Sequence, residues 1–169
     1  MPTIGVALSI PEPWGQQLQD YRASIGDETA TQIPTHVTLV PPMAIEDDAL
    51  LAVEEHLEVA ASEVEAFRIR LRGTGTFRPV SPVVFVTLAE GISHCEALSD
   101  AVRRGPLAVE LVFPYHPHVT VAHHLDDEVM DSAFEELAGF DCAFDVDRFA
   151  LYVHDSQLGW QATREFLLG

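Results

Sequence analysis

The chain has 169 residues and a formal net charge of −18, from 27 acidic residues against nine basic ones, all of them Arg. Acidity on this scale argues against a protein that grips long nucleic acid by neutralising many phosphates, though a small phosphorylated ligand can still be met inside one cleft. An apolar content of 47% separates the chain from disordered sequences, and the length suits one domain or two small lobes on a shared core.

Residues 3–10 alternate, with Ile4, Val6, Leu8 and Ile10 on one face and small or polar residues on the other, as in a half-buried strand. Pro11-Glu12-Pro13-Trp14 opens a helix predicted over about 13–25, with Leu18, Tyr21, Arg22 and Ile25 at helical spacing and Gly26 as its cap. A strand over about 35–40 is expected to end at Pro41-Pro42. A helix over about 46–61 and a strand over 64–72 follow, with Gly73-Thr74-Gly75 read as a bend. Arg68, Arg70 and Arg72 alternate with Phe67, Ile69 and Leu71, the pattern of a solvated strand face.

The same order then recurs. Residues 82–89 form a strand, about 92–104 a helix ended by Gly105-Pro106, about 118–122 a strand and about 127–138 a helix. Two further strands, about 143–153 and 159–167, are expected to close the chain as a hairpin. Strand–helix–strand–helix–strand thus occurs twice, which predicts one α+β domain of two pseudo-symmetric lobes, about 1–79 and 80–169. The joint lies near the turn-rich Arg78-Pro79-Val80-Ser81-Pro82. No segment reaches the length of a membrane span, and the N-terminal apolar run is too short for a signal sequence. Cys95 and Cys142 fit no metal-ligand spacing and read as buried free thiols. A cytoplasmic protein is the expectation.

One phrase occurs at corresponding points of the two halves: His36-Val37-Thr38 and His118-Val119-Thr120. Residues two apart on a strand share a face, so each copy presents an imidazole and a hydroxyl together while Val37 and Val119 turn to the core. Breaking a phosphodiester requires a proton to leave the attacking oxygen and another to reach the departing one. Two imidazoles, one neutral and one protonated, suit both tasks near neutral pH. Two Thr hydroxyls can donate to the phosphoryl oxygens on which charge accumulates.

These two motifs, with the context Tyr115-His116-Pro117-His118 and the terminal Gly159-Trp160 hairpin, resemble the two-histidine phosphoesterase superfamily. That group contains bacterial 2′-5′ RNA ligase and 2′,3′-cyclic phosphodiesterases. The resemblance implies two lobes, each a mainly antiparallel sheet with two helices, flanking a central cleft. It implies metal-independent cleavage of 2′,3′-cyclic phosphates on a nucleotide or RNA terminus, or reversible 2′-5′ RNA ligation, with no cofactor. His36, Thr38, His118 and Thr120 are its catalytic residues, and Tyr115, Arg78 and His123 are candidates for substrate binding. Many relatives carry Arg or Lys after the second motif, where this chain has His123-His124, so a small or terminal phosphodiester is expected over a polynucleotide. Two other readings compete. One is a module that binds a nucleotide without turnover. The other is a metal-dependent hydrolase built on the segment from His116 to His124, although no Asp or Glu completes a recognisable ligand set.

Overall fold

In the computed structural model, which describes residues 1–169, the first half of the chain forms β1 (Thr3–Ser9), α1 (Trp14–Ser24), β2 (His36–Ala44), α2 (Leu50–Ser62) and β3 (Phe67–Thr76). The second half forms β4 (Val83–Glu90), α3 (Ile92–Val102), β5 (His118–His123), α4 (Asp127–Glu136), β6 (Asp141–Val146), β7 (Arg148–Asp155) and β8 (Gly159–Leu167). The strands make two four-stranded antiparallel sheets, with orders β2-β1-β7-β8 and β5-β4-β3-β6. Apolar residues from both sheets and all four helices join one core of 36 buried residues.

The two sheets interlock. Helix α1 connects two strands of the first sheet yet packs against β5 of the second. Its counterpart α3 connects two strands of the second sheet and packs against β2 of the first. Sheet membership therefore departs from a division at residue 79. The first sheet takes its strands from both ends of the chain, and the second is built from residues 67–146. The joint at Arg78–Pro82 is only the turn between β3 and β4, neighbours in one sheet.

Three further expectations change. The strand predicted over 143–153 is two strands: β6 pairs with β3, the chain crosses at Asp147, and β7 pairs with β1. No Gly or Pro marks the crossing; its local trace is the pair of exposed charged residues Asp147-Arg148, after which the buried positions change phase. Strand β2 continues through Pro41 and Pro42, which this edge strand accommodates where its pairing with β1 is irregular, between Val40 and Met43. Gly73 and Gly75 lie inside β3, where Gly73, at φ +77°, marks an irregularity in the pairing with β4.

The segment entering β2 is held by a buried ion pair. Arg22, at the end of α1, is 5% exposed. Its Nε donates to Asp27 Oδ2 at 3.2 Å and its Nη1 to the Ile33 carbonyl at 2.8 Å. Removing one member of such a pair strands the other charge in the interior. Asp27→Ala is expected to lower the free energy of unfolding by about 3 kcal/mol, read from urea denaturation. The double variant Arg22→Met/Asp27→Leu should recover most of that loss.

Candidate active site

Strands β2 and β5 are the edge strands of their sheets, and they pack against each other across the molecule. This brings the two His-Val-Thr phrases to one cleft. Val37, Leu39, Val119 and Val121 are at most 1% exposed, while His36, Thr38, His118 and Thr120 are half-buried on the opposite face. The pairing on either side matches. Ser9 stands opposite His36 and Ala7 opposite Thr38; Thr87 stands opposite His118 and Phe85 opposite Thr120. Each ladder also slips by one residue just past its Thr, so that both Leu39 and Val40, and both Val121 and Ala122, turn inward. Such bulges bend a strand and re-aim its side chains.

The imidazoles are fixed in the same way. His36 Nδ1 lies 2.7 Å from the Pro34 carbonyl, and His118 Nδ1 lies 2.6 Å from the His116 carbonyl. A carbonyl only accepts, so each Nδ1 carries the hydrogen and each neutral ring keeps its lone pair on Nε2. Burial pushes the pKa of His36 below the ordinary imidazole value, and the positive charge of Arg22 acts in the same direction, opposed by the Pro34 carbonyl. Burial also lowers the pKa of His118. The His116 carbonyl opposes this, and the charges of His116 and His36 reinforce it. The charge of His36 thus reaches His118 from the other motif.

Other predicted residues are placed differently. The Tyr115 hydroxyl donates to the Thr38 carbonyl at 2.7 Å, and its half-buried ring packs on the core with the Arg103 guanidinium 5.9 Å above it. Tyr115 is a strut between the segment entering β5 and strand β2, its hydroxyl engaged by the Thr38 carbonyl. Arg78 turns to α4, where Nη1 pairs with Asp131 at 2.9 Å and with Asp127 at 3.7 Å, while Nε donates to Thr76 Oγ1. Its charge is met by carboxylates of α4. His123 is exposed at the end of β5, its ring centred 3.9 Å from that of His124 and with Asp27 and Arg22 as charged neighbours. No three His, Cys, Asp or Glu side chains in the chain converge to hold a metal, so the segment from His116 to His124 forms no ligand set.

Four residues outside the motifs join the site. A cavity of about 130 Å³ opens beside His36 and Thr38, lined also by Gly5, Ala7, Tyr152 and Trp160. The small residues on the open face of β1 were visible in the sequence, but the aromatic walls come from β7 and β8 at the far end of the chain. Trp160 is anchored there by its own N–H, which donates to the Gln32 carbonyl at 2.9 Å. Beside it, Gly159 has φ +77° and presses against Gln32, where a Cβ would come within 2.6 Å. No other residue fits that position.

Comparison with known proteins agrees with this architecture. The model of the 2′-5′ RNA ligase superfamily matches residues 10–158. A provisionally named phosphoesterase of Oceanobacillus iheyensis is 29% identical over 145 residues, 85% of each chain. A second, from Halalkalibacterium halodurans, is 28% identical over 167 residues, covering 98% of this chain and 96% of its own. Among solved structures, E. coli LigT complexed with NADP+ aligns with a TM-score of 0.70 at 18% identity, over 99% of this chain and 97% of that one. TT0787 of Thermus thermophilus aligns with a TM-score of 0.62 at 22% identity, over 99% and 98%. The structural likenesses establish the two-lobed α+β fold. On the family match over most of its length, the chain belongs to the 2′-5′ RNA ligase superfamily of two-histidine phosphoesterases.

Proposed function

We propose that the chain is a phosphodiesterase that opens 2′,3′-cyclic phosphates of a nucleotide or RNA terminus, with His36, Thr38, His118 and Thr120 as its catalytic residues and no metal in the reaction. The observation that carries this reading is the matched pair of imidazoles. Each is locked through Nδ1 to the carbonyl two residues before it, and each has Nε2 free for a proton. Two solved complexes of E. coli LigT, with 3′-AMP and with ATP, support a small nucleotide as the ligand class.

In the step itself, a water oxygen bonds to phosphorus as one ribose oxygen–phosphorus bond of the ring breaks. The proton of the attacking water passes to Nε2 of the neutral imidazole, and the departing ribose oxygen takes a proton from Nε2 of the other. The product is a nucleoside monophosphate, and the two rings have exchanged protonation states. The Thr38 and Thr120 hydroxyls donate to the non-bridging oxygens, whose charge rises in the transition state. With an RNA 5′-hydroxyl attacking in place of water, and the ribose 3′ oxygen leaving, the same groups would form a 2′-5′ linkage.

His36→Ala and His118→Ala should each lower kcat on a nucleoside 2′,3′-cyclic phosphate by about 10²–10⁴-fold with the thermal melting curve retained. EDTA should leave the wild-type rate unchanged. Full activity in either variant would refute the assignment, and a rate abolished by EDTA and restored by zinc would favour a metal-dependent hydrolase.

The pH dependence follows from the direction of the two shifts. The reaction needs one ring protonated and one neutral, and both are held below the ordinary imidazole value of about 6.5. Above that range both rings are neutral and the acid is lost; well below it both are charged and the base is lost. The profile of kcat/KM should therefore be a bell with its maximum on the acid side of pH 6.5. An optimum above pH 8 would contradict this.

A further inference from the structure

The matched pairing of the two sheets exposes one difference between the halves. Along β1 and β7, Ala7 pairs with Ala150 and Gly5 with Tyr152. Along β4 and β3, the corresponding positions are Phe85 paired with Gly75, and Val83 beside Phe77, whose N–H donates to the Val83 carbonyl. Where the first sheet has Ala7 opposite the motif Thr, the second has Phe85. That exchange decides what can lie next to each histidine.

Beside His36 the small side chains leave an open floor. The cavity stands on Gly5 and Ala7 and is walled by Tyr152 and Trp160, whose ring would lie 3.6 Å from a Cβ at Gly5. Beside His118 the equivalent floor is occupied. The Phe85 ring lies over Gly75, where a Cβ would come within 2.7 Å of it. The Phe77 ring is centred 4.5 Å from Phe85 and 5.0 Å from His118, and His116 closes the cluster at 5.4 Å from Phe77 and 5.3 Å from Phe85. Phe85 is 5% exposed. These rings already pack against one another, edge-on or tilted, so a base seated on that floor would have to displace an aromatic cluster.

We propose that the site holds a single nucleobase, in the Trp160 cavity beside His36, and excludes a second nucleoside beside His118. Its substrates are then phosphodiesters that end at the scissile phosphate, such as nucleoside 2′,3′-cyclic phosphates and cyclic RNA termini, and 2′-5′-linked dinucleotides are not among them. This rests on the phosphodiesterase reading above and narrows it. With the base in the Trp160 cavity, the ribose oxygen that leaves phosphorus lies on the His36 side. The in-line partner must approach from the His118 side, where a second nucleoside would meet the Phe77, Phe85 and His116 cluster and water would not. The absence of Lys and the engagement of Arg22 and Arg78 by carboxylates agree with this, since no free guanidinium lines the cavity to track a longer phosphate backbone.

The test uses adenosine 2′,3′-cyclic phosphate, base-free glycerol 1,2-cyclic phosphate and 2′-5′-linked diadenosine monophosphate. The wild type should open the adenosine substrate with a kcat/KM about tenfold or more above the glycerol one, and should leave the dinucleotide uncut. Ala7→Phe, which copies the floor of the other sheet, should lower the adenosine-to-glycerol ratio about tenfold. Trp160→Ala, a deletion on a half-exposed strand, should do the same by removing the wall. The ratio is taken within one preparation, so a partly folded variant does not distort it. Dinucleotide cleavage at a rate within tenfold of the cyclic substrate, or ratios unchanged in both variants, would overturn the proposal. Failure of the wild type to open either cyclic substrate would overturn the phosphodiesterase reading and this proposal with it. Turnover of both without preference for adenosine would overturn this proposal alone.

Discussion

The site depends on the two-residue period of an extended strand held against a core. In β2 and β5 alike, the residue between His and Thr is buried, and so is the residue after Thr. A slip of one residue in either ladder would drive an imidazole and a hydroxyl into the apolar interior and bring two aliphatic side chains out. The cost of burying unpartnered polar groups makes that arrangement untenable. Hydrophobic burial on one face of each strand thereby sets the direction of the chemistry on the other. The two equivalent bulges past Thr38 and Thr120 end the strict alternation once it has done its task and let the chain dive back into the core.

A second layer of control comes from the backbone just before each motif. The Pro34 and His116 carbonyls choose the tautomer of the following histidine, and the two segments that carry them are braced by different means. Ahead of β2, Arg22 ties α1 to the Ile33 carbonyl through a buried charge. Ahead of β5, the Tyr115 hydroxyl ties the segment to the Thr38 carbonyl of the opposite strand. The second brace crosses the cleft, so the position of one motif is mechanically linked to the other. The first puts a fixed positive charge near His36 that His118 lacks, so the two rings are alike in geometry and unlike in field.

Much of this was legible in the sequence because it is local. A His-Val-Thr phrase on a strand declares which side each residue faces, and its recurrence at matching points of a repeated element order declares the pair. Helix and strand order and the solvated Arg68, Arg70 and Arg72 follow from the same periodicities, and the buried thiols Cys95 and Cys142 from a spacing that fits no metal site. What escaped is non-local. The crossing between sheets is marked only by two consecutive charged residues, Asp147-Arg148, and their break in the apolar alternation does not say that the chain changes sheets. The roles of Arg78 and Tyr115 depend on partners, Asp131 and the Thr38 carbonyl, that lie far away in sequence. The Trp160 cavity needs β2, β1, β7 and β8 assembled in one sheet, which no window along the chain contains.

The crossing at Asp147 has a consequence for how the molecule comes into being on the ribosome. The second sheet is complete once residue 146 has emerged, since all four of its strands lie between Phe67 and Val146. The first sheet at that stage is only β1 and β2, a two-stranded piece of the kind that is marginal in water, because its remaining strands have not been made. Its central pairing, β1 with β7, joins residues from opposite ends of the chain and carries the loop-closure cost that slows topologies of this kind. A nascent or truncated chain would therefore display a finished His118 half and an unfinished His36 half. The proposed acid–base pair is assembled only when the last hairpin docks.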